Sequence, residues 1–386
     1  MAKNLTIVIG GQIASIPFQG GATWAVLQYV LGLRELGHQV YFVEQVPDQF
    51  LAPPGTDLTH SRNALYFRSV VHDFSLGNSS ALVNFHRREA VGMEYSSVLG
   101  IARRADLLIN LSGHLPAEPW FHLVPIRVYL DLDPLFTQLW KEVEQIDMHF
   151  AGHTHFATVG MAVGSANCLV PTCGLQWIRT WQPIVLSRWP SSNRVSRNAA
   201  TTVANWRSYG SLHHEGVFYG QKVHSWRAFM NLPLLSNWRF AAALSIDPTE
   251  ADDLAALRRN RWELIDPEEV VSTPQQYWEF IQGSMAELAI VKSGYAVSRC
   301  GWFSERSECY TASGKPVVAQ ATGFEQYLPC GKGVFAFADS EQAVEALKAI
   351  EADYSLHSRA ARTIAEEFFD SRKVLERLLA QVGVAG

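Results

Sequence analysis

Short unbroken apolar runs alternate along this chain with longer segments whose apolar residues fall at helical spacing. Leu5 to Ile9 is the first run. A loop ending at Gly20-Gly21 follows, and then Ala22 to Leu36, where Trp24, Leu27, Val30, Leu31 and Leu33 recur at the period of an amphipathic helix. Gly37 closes that helix, and Val40 to Val43 is the second run, with Glu44 at its tip. A β-α-β opening of this kind predicts a parallel sheet. Asp106 to Leu111, Ile126 to Leu130 and Met148 to Ala151 are read as further strands. Between Gln45 and Glu94 the chain is polar and irregular, with Pro47, Pro53 and Pro54, so variable loops over a cleft are expected there.

Around Trp181 to Asn198 the pattern breaks into a stretch rich in Pro, Ser and Arg, which reads as a linker. A second alternating series follows. Its strands are Thr201 to Asn205, Arg239 to Ser245, Trp262 to Ile265, Glu287 to Val291 and the runs opening at Pro316 and Val334. Its helices are Gln221 to Met230, Pro248 to Asn260, Thr273 to Gly283, one opening at Ser304, Glu341 to Ile350 and Ser358 to Phe369, with a last one at Val374 to Val382. The pattern divides the chain into a doubly wound α/β unit over residues 1–185, a second over 199–369, and a terminal helix over 370–386.

Composition narrows the class. The chain has 386 residues, enough for about two cores. Its hydrophobic content of 48% and charged content of 18% describe a folded protein. Thirty-seven acidic residues against 32 basic ones give a net charge of −5, which argues against a broadly basic nucleic-acid surface. The first apolar run stops at Gly10-Gly11, too short for a signal peptide, and no run of about 18 apolar residues suggests a membrane span. A cytoplasmic protein is expected. The five scattered cysteines, Cys168, Cys173, Cys300, Cys309 and Cys330, form no disulfide framework and read as thiols.

The candidate chemistry concentrates after Cys300. Cys300-Gly301-Trp302-Phe303-Ser304 leads into a helix that Ser313-Gly314-Lys315-Pro316 closes. A strand follows, then the turn Thr322-Gly323-Phe324-Glu325, whose backbone N–H groups suit an anionic or sugar ligand. This stretch resembles the nucleotide-binding half of GT-B glycosyltransferases, where acidic residue, helix, Gly-x-Pro, strand and Gly-rich turn grip a nucleotide sugar. Two linked Rossmann-like units facing each other across a cleft are what the resemblance implies for the fold. It covers about Gly20 to Val43 and Thr201 to Phe369.

The sequence departs from the family's boxes. Arg299 and Phe303 stand where the His-Cys-Gly-Trp-Asn-Ser box has His and Asn, and Cys309 stands where the Glu-x-x-x-x-Gly-x-Pro form has Glu. Glu308 is therefore the candidate carboxylate for the ribose, with Glu305 the alternative. The resemblance further implies a diphosphate site at Arg207 and Lys222, helped by Ser304, Arg306 and Ser307 at a helix start. It implies sugar contacts from Thr322, Gly323, Phe324 and Glu325, and a ligand-facing first loop at Gly20 and Gly21. Ser304 serving only as its own helix cap is an equal reading.

For the base that takes the acceptor's proton, Asp133 ranks first, because Asp131-Leu132-Asp133-Pro134 ends a strand and places it at the sheet's carboxyl edge. His114 ranks second, and His153 is a third candidate, paired by spacing with His155. The Asp-x-Asp pattern also matches a metal signature of another glycosyltransferase fold. GT-B enzymes generally use no metal, so neither metal nor cofactor is expected beyond a UDP- or dTDP-type sugar as co-substrate. The implied activity is hexosyl transfer from an NDP-sugar to an acceptor by a monomer or homodimer. An NDP-sugar epimerase, a phosphorylase, or a sugar-binding GT-B protein without catalysis are the other readings.

Overall fold

The computed structural model describes residues 4–118 and 120–384; residues 1–3 and 385–386, at the outer ends of the expected first unit and terminal helix, lie outside them. The first sheet has eight strands, β1 (Thr6–Gly10), β2 (Gln39–Gln45), β3 (Ser80–Asn84), β4 (Glu89–Gly92), β5 (Leu107–Leu111), β6 (Ile126–Asp131), β7 (His155–Thr158) and β8 (Trp177–Arg179). They lie in the order β4-β3-β2-β1-β5-β6-β7-β8, parallel except for the β3–β4 pair. Strand β1 is buried almost throughout because helices cover both faces, which is why it reads as an unbroken apolar run rather than an alternating one.

The second sheet is wholly parallel. It contains β9 (Arg197–Asn205), β12 (Phe240–Ser245), β13 (Trp262–Ile265), β14 (Ser284–Ala289), β15 (Val317–Gln320) and β16 (Val334–Phe337), in the order β13-β12-β9-β14-β15-β16. A small hairpin of β10 (Leu212–His214) and β11 (Val217–Tyr219) stands apart from it. Three tryptophans anchor one face of this unit. Trp206 packs on Trp226 at 5.7 Å between ring centroids, and Trp226 on Trp262 at 4.6 Å. Such pairs add about 0.5–1.5 kcal/mol each beyond the area they bury.

In each sheet the chain winds outward from its first strand on one side, then returns to continue on the other. The switch falls between β1 and β5 in the first sheet and between β9 and β14 in the second. Ligands of open parallel sheets sit at the carboxyl ends of the strands at such points, and both switch points are discussed below.

The two units are stitched together. The Gly20–Glu35 helix of the first unit starts against the second: the Gly20 amide donates to the Val271 carbonyl at 3.0 Å, and Trp24 Nε1 to the Pro274 carbonyl at 2.8 Å. A Cβ on Gly20 would lie 2.3 Å from the Thr273 carbonyl oxygen, so glycine is required here for domain contact. The connection after β8 pairs with the chain's end, Ile184 N–H donating to Phe369 and Ser371 N–H to Ile184. The Ser371–Gln381 helix then packs back on the Gly20–Glu35 helix of the first unit.

Two expectations differ from the structure. Met148 to Ala151 is a loop, and the strand begins at His155, because His149 takes a left-handed backbone that ends any extended run. The Gln45–Glu94 region holds structure as well as loops: a helix at Arg62–Asp73, capped by Ser61, and the strands β3 and β4. β3 is only five residues and starts and ends on polar side chains, so its apolar signal is three residues long.

Candidate interdomain active site

At the β1/β5 switch the first unit holds a cavity of about 630 Å³. Gln12 beyond β1, Gln45 at the end of β2 and the turn Ser112-Gly113-His114 beyond β5 line it, with Phe50, Trp140, Ile146 and Met148. The His114 ring is open to this space and makes no hydrogen bond among the described residues. Desolvation by the cavity walls, and secondarily His149, hold its pKa below the ordinary histidine value. It is thus an unengaged imidazole open to the cavity.

His153 is placed differently. Its Nε2 faces Asn110 Nδ2 at 3.2 Å and its Nδ1 the Phe150 carbonyl at 3.2 Å, while Phe121 and Tyr129 pack on the ring. Burial lowers its pKa to about 4. A half-buried ring with both nitrogens engaged and two aromatic rings packed on it reads as a structural histidine.

The two aspartates of the Asp131-Leu132-Asp133 run also part company. Asp131 is fully buried and accepts from Thr137, Gln138 and Thr158 side chains at 2.8–2.9 Å and from the Asp133 amide. It stitches β6 to β7 and to the Phe136–Glu142 helix. Asp133 reaches into the second unit, where Lys292 Nζ donates to its Oδ2 at 3.0 Å and Tyr209 Oη at 2.5 Å, and Tyr295 donates to Oδ1. Lys292 also donates to Tyr209. The Asp133 and Lys292 side chains are 25% and 12% exposed, so the pair is mostly withdrawn from water. Desolvation lowers the Lys292 pKa and Asp133 opposes that shift; both tyrosines are pushed well up and stay protonated donors. Asp133 is therefore engaged by three donors of the second unit, at the junction of the two units. Trp140 of the cavity wall packs on Tyr209 at 4.6 Å, so this cluster adjoins the cavity.

At the β9/β14 switch the second unit gathers positive charge. Lys222 opens the Lys222–Phe229 helix and makes no hydrogen bond or ion pair among the described residues. Its pKa is pushed well down, first by desolvation, then by Arg306 and Lys292, and Glu287 only partly offsets this. Arg207, expected beside it, turns away to a bidentate pair with Glu250 and is about half exposed. Arg306 is buried and spent internally, on Glu287 at 2.5 Å and the Val203 carbonyl at 2.8 Å. Of these three cations, Lys222 is thus the one with no hydrogen bond or ion pair among the described residues, and Lys292, not Arg207, is its neighbour.

The carboxylates expected at the ribose are placed by one helix, Glu305–Ala312. Ser304 caps it, its Oγ accepting from the Arg306 amide. Ser307 and Glu308 face inward, with the Ser307 hydroxyl and both Glu308 oxygens buried and unpartnered. Desolvation, then Glu305, push the Glu308 pKa well up in the domain interface, beside Tyr29. Glu305 is half-buried. Its Oε1 lies 3.2 Å from the Cys309 thiol and Oε2 3.4 Å from Tyr277 Oη, so its carboxyl reaches the spot where Cys309 replaces the family's Glu. Desolvation is the main cause of its pKa rising to about 7.

That shift has a stability consequence. A carboxyl raised in the folded state stabilises the fold fully below its unfolded pKa, about 4.3, and the contribution is lost as pH rises through the folded value. Glu305→Gln is expected to flatten part of the loss of melting temperature between about pH 4.3 and pH 7. An unchanged pH profile of the melt refutes this placement.

The Thr322–Glu325 turn lies beyond β15. Gly323 has φ +99°, open to glycine at no cost, and its amide donates to Glu325 Oε2 at 3.0 Å. Thr322 Oγ1 donates to the Trp302 carbonyl at 2.6 Å, and the Phe324 ring is buried against Phe303. The turn is thereby fastened to Gly301-Trp302, where Trp302 bridges to Gly160 of the first unit and the preceding Cys300 carbonyl accepts from the Ala162 amide. Glu325 is the half-exposed side chain of the four.

Gly20 and Gly21 do not face a ligand space. Gly20's amide is taken by Val271, and a Cβ on Gly21 would meet the Tyr277 ring at 2.9 Å. Lys292, Tyr209, Tyr295 and Trp140 were not read from the sequence as site residues. Lys292 had the clearest signal, one residue past the Glu287 to Val291 run, at the carboxyl end of a strand beside the switch.

The sequence matches no family model and no curated protein. Solved structures resemble the whole chain. An α-glucosyltransferase in complex with UDP-glucose and DNA containing an abasic site superposes with a TM-score of 0.62 at 12% identity, covering 98% of this chain and 100% of that one. Anabaena HepE in complex with UDP and glucose gives 0.58 at 12%, over 98% and 99%. A glycosyltransferase involved in avilamycin A biosynthesis gives 0.51 at 14%, over 98% and 97%. With two predominantly parallel sheets and a final helix returning to the first unit, this chain has the GT-B fold. No helix among the described residues is long and apolar enough to cross a membrane.

Proposed function

We propose that the protein is a glycosyltransferase that moves a hexosyl group from a nucleoside diphosphate sugar, UDP-linked by preference over dTDP, to an acceptor bound in the first unit. The observation that carries this reading is Lys222: a desolvated ammonium without a counter-ion, at a helix start, at the switch point of the second sheet. A half-buried cation without an ion-pair partner among the described residues is open to an anion, and a diphosphate supplies that charge. The GT-B structures solved with UDP or UDP-glucose support the choice of ligand.

The reaction follows from the residues. An acceptor hydroxyl in the cavity attacks the anomeric carbon while His114 takes its proton. The bond from that carbon to the diphosphate oxygen breaks, and the electron pair leaves with the nucleoside diphosphate. Lys222 stabilises the charge that develops there. Glu305 is assigned to the ribose in place of the interior Glu308, and Glu325 to the sugar hydroxyls. Asp133 positions the units through Lys292, Tyr209 and Tyr295. The free cysteines support a reducing, cytoplasmic setting.

UDP at about a hundred times its dissociation constant is expected to add about 2.7 kcal/mol to stability in a thermal melt. Absence of any shift with UDP, dTDP and GDP alike contradicts the proposal.

A further inference from the structure

We infer that the acceptor held by the first-unit cavity is an uncharged aromatic compound carrying a hydroxyl group, an inference that rests on the transferase reading. Four features of the cavity point to it. Its walls present Phe50, Trp140, Ile146 and Met148, and Phe50 and Ile146 are 52% and 48% exposed, large apolar side chains left in water at one place. Clustered exposure of this kind marks a binding surface. The Trp140 indole is held by an edge contact with Tyr209 and a tilted one with Phe136, which leaves it a fixed wall for a flat ring.

Charge supplies the second half of the argument. Among the described residues no lysine or arginine lines the cavity; its titratable groups are the carboxylate of Asp147 and the imidazoles of His114 and His149, and the His149 ring is turned to the Gly113 carbonyl. A phosphate or carboxylate acceptor would be desolvated here without a cation and beside an anion. Polyanions are disfavoured for the same reason, although some GT-B structures were solved with DNA. The volume of about 630 Å³ lies within the roughly 300–1,000 Å³ that drug-sized ligands occupy.

The test uses the full chain without donor and two probes with the same rings, 4-(hydroxymethyl)biphenyl and biphenyl-4-carboxylate, followed by quenching of tryptophan fluorescence. The alcohol is expected to bind at least about tenfold more tightly than the carboxylate, because only the carboxylate loses hydration of a charge. Ile146→Glu, at an exposed position that leaves folding intact, is expected to weaken the alcohol by about tenfold, and Ile146→Lys to narrow the gap between the probes. Equal or tighter binding of the carboxylate, no binding of the alcohol, or an Ile146→Glu variant that binds as before overturns the inference. UDP binding measured on the same samples separates the two claims. UDP binding without alcohol binding removes this inference alone, and the reverse removes the donor reading alone.

Discussion

His114→Gln is expected to lower turnover by about 10²–10⁴ while leaving UDP binding and the melting temperature close to those of the parent protein. Glutamine keeps a polar side chain of similar size and removes the proton acceptor. Stability is spared because the imidazole makes no hydrogen bond among the described residues and is open to the cavity. Asp133→Asn is the control. It removes the charge that Lys292 faces across the units, and breaking a buried pair destabilises by about 3–5 kcal/mol, less at this partly exposed site. A stable His114→Gln protein with full activity excludes the histidine as the base. A stable Asp133→Asn protein without activity returns that role to the aspartate.

The order of the two bases shows what the sequence carried and what it did not. Both His114 and Asp133 follow apolar runs, so their place at the carboxyl edge of the first sheet was legible. Which one is free was not, because the groups that occupy Asp133 come from positions 209, 292 and 295, brought near only by the docking of the second unit. The same holds for Arg207 and Lys222. Each stands at the end or start of an element as expected, yet Glu250 takes the arginine and leaves the lysine. Glu308 and Glu305 sit three residues apart on one helix. Their spacing from Pro316 favoured Glu308, whereas the helix turns it into the domain interface and sets Glu305 toward the Cys309 thiol. Gly20 and Gly21 read as room for a ligand; the room is filled by Val271, Thr273 and Tyr277. The two wound units were readable because buried parallel strands leave continuous apolar runs. The short strands β3, β4 and β8, at or next to the sheet's edges, were not, because three to five residues leave little pattern.

The central claim is that a nucleoside diphosphate binds at Lys222. The pKa of this lysine is lowered in the free protein, and a diphosphate raises it towards the ordinary amine value of about 10.4. Between the lowered and the restored values, binding must take up protons, and it must weaken as pH rises through that window. Lys222→Met removes the charge from a site where it stabilises nothing in the free protein. The variant is expected to fold, and to lose about 1.5–3 kcal/mol of binding, or roughly 10–150-fold in affinity. Calorimetric titration with UDP, run on the parent protein and on Lys222→Met in two buffers of different ionisation enthalpy, reads all of this at once. The expected result is one UDP per chain with proton uptake in the parent, and weakened binding without that uptake in the variant. Undiminished, proton-linked UDP binding in Lys222→Met would contradict the account, as would a parent protein that binds no nucleoside diphosphate.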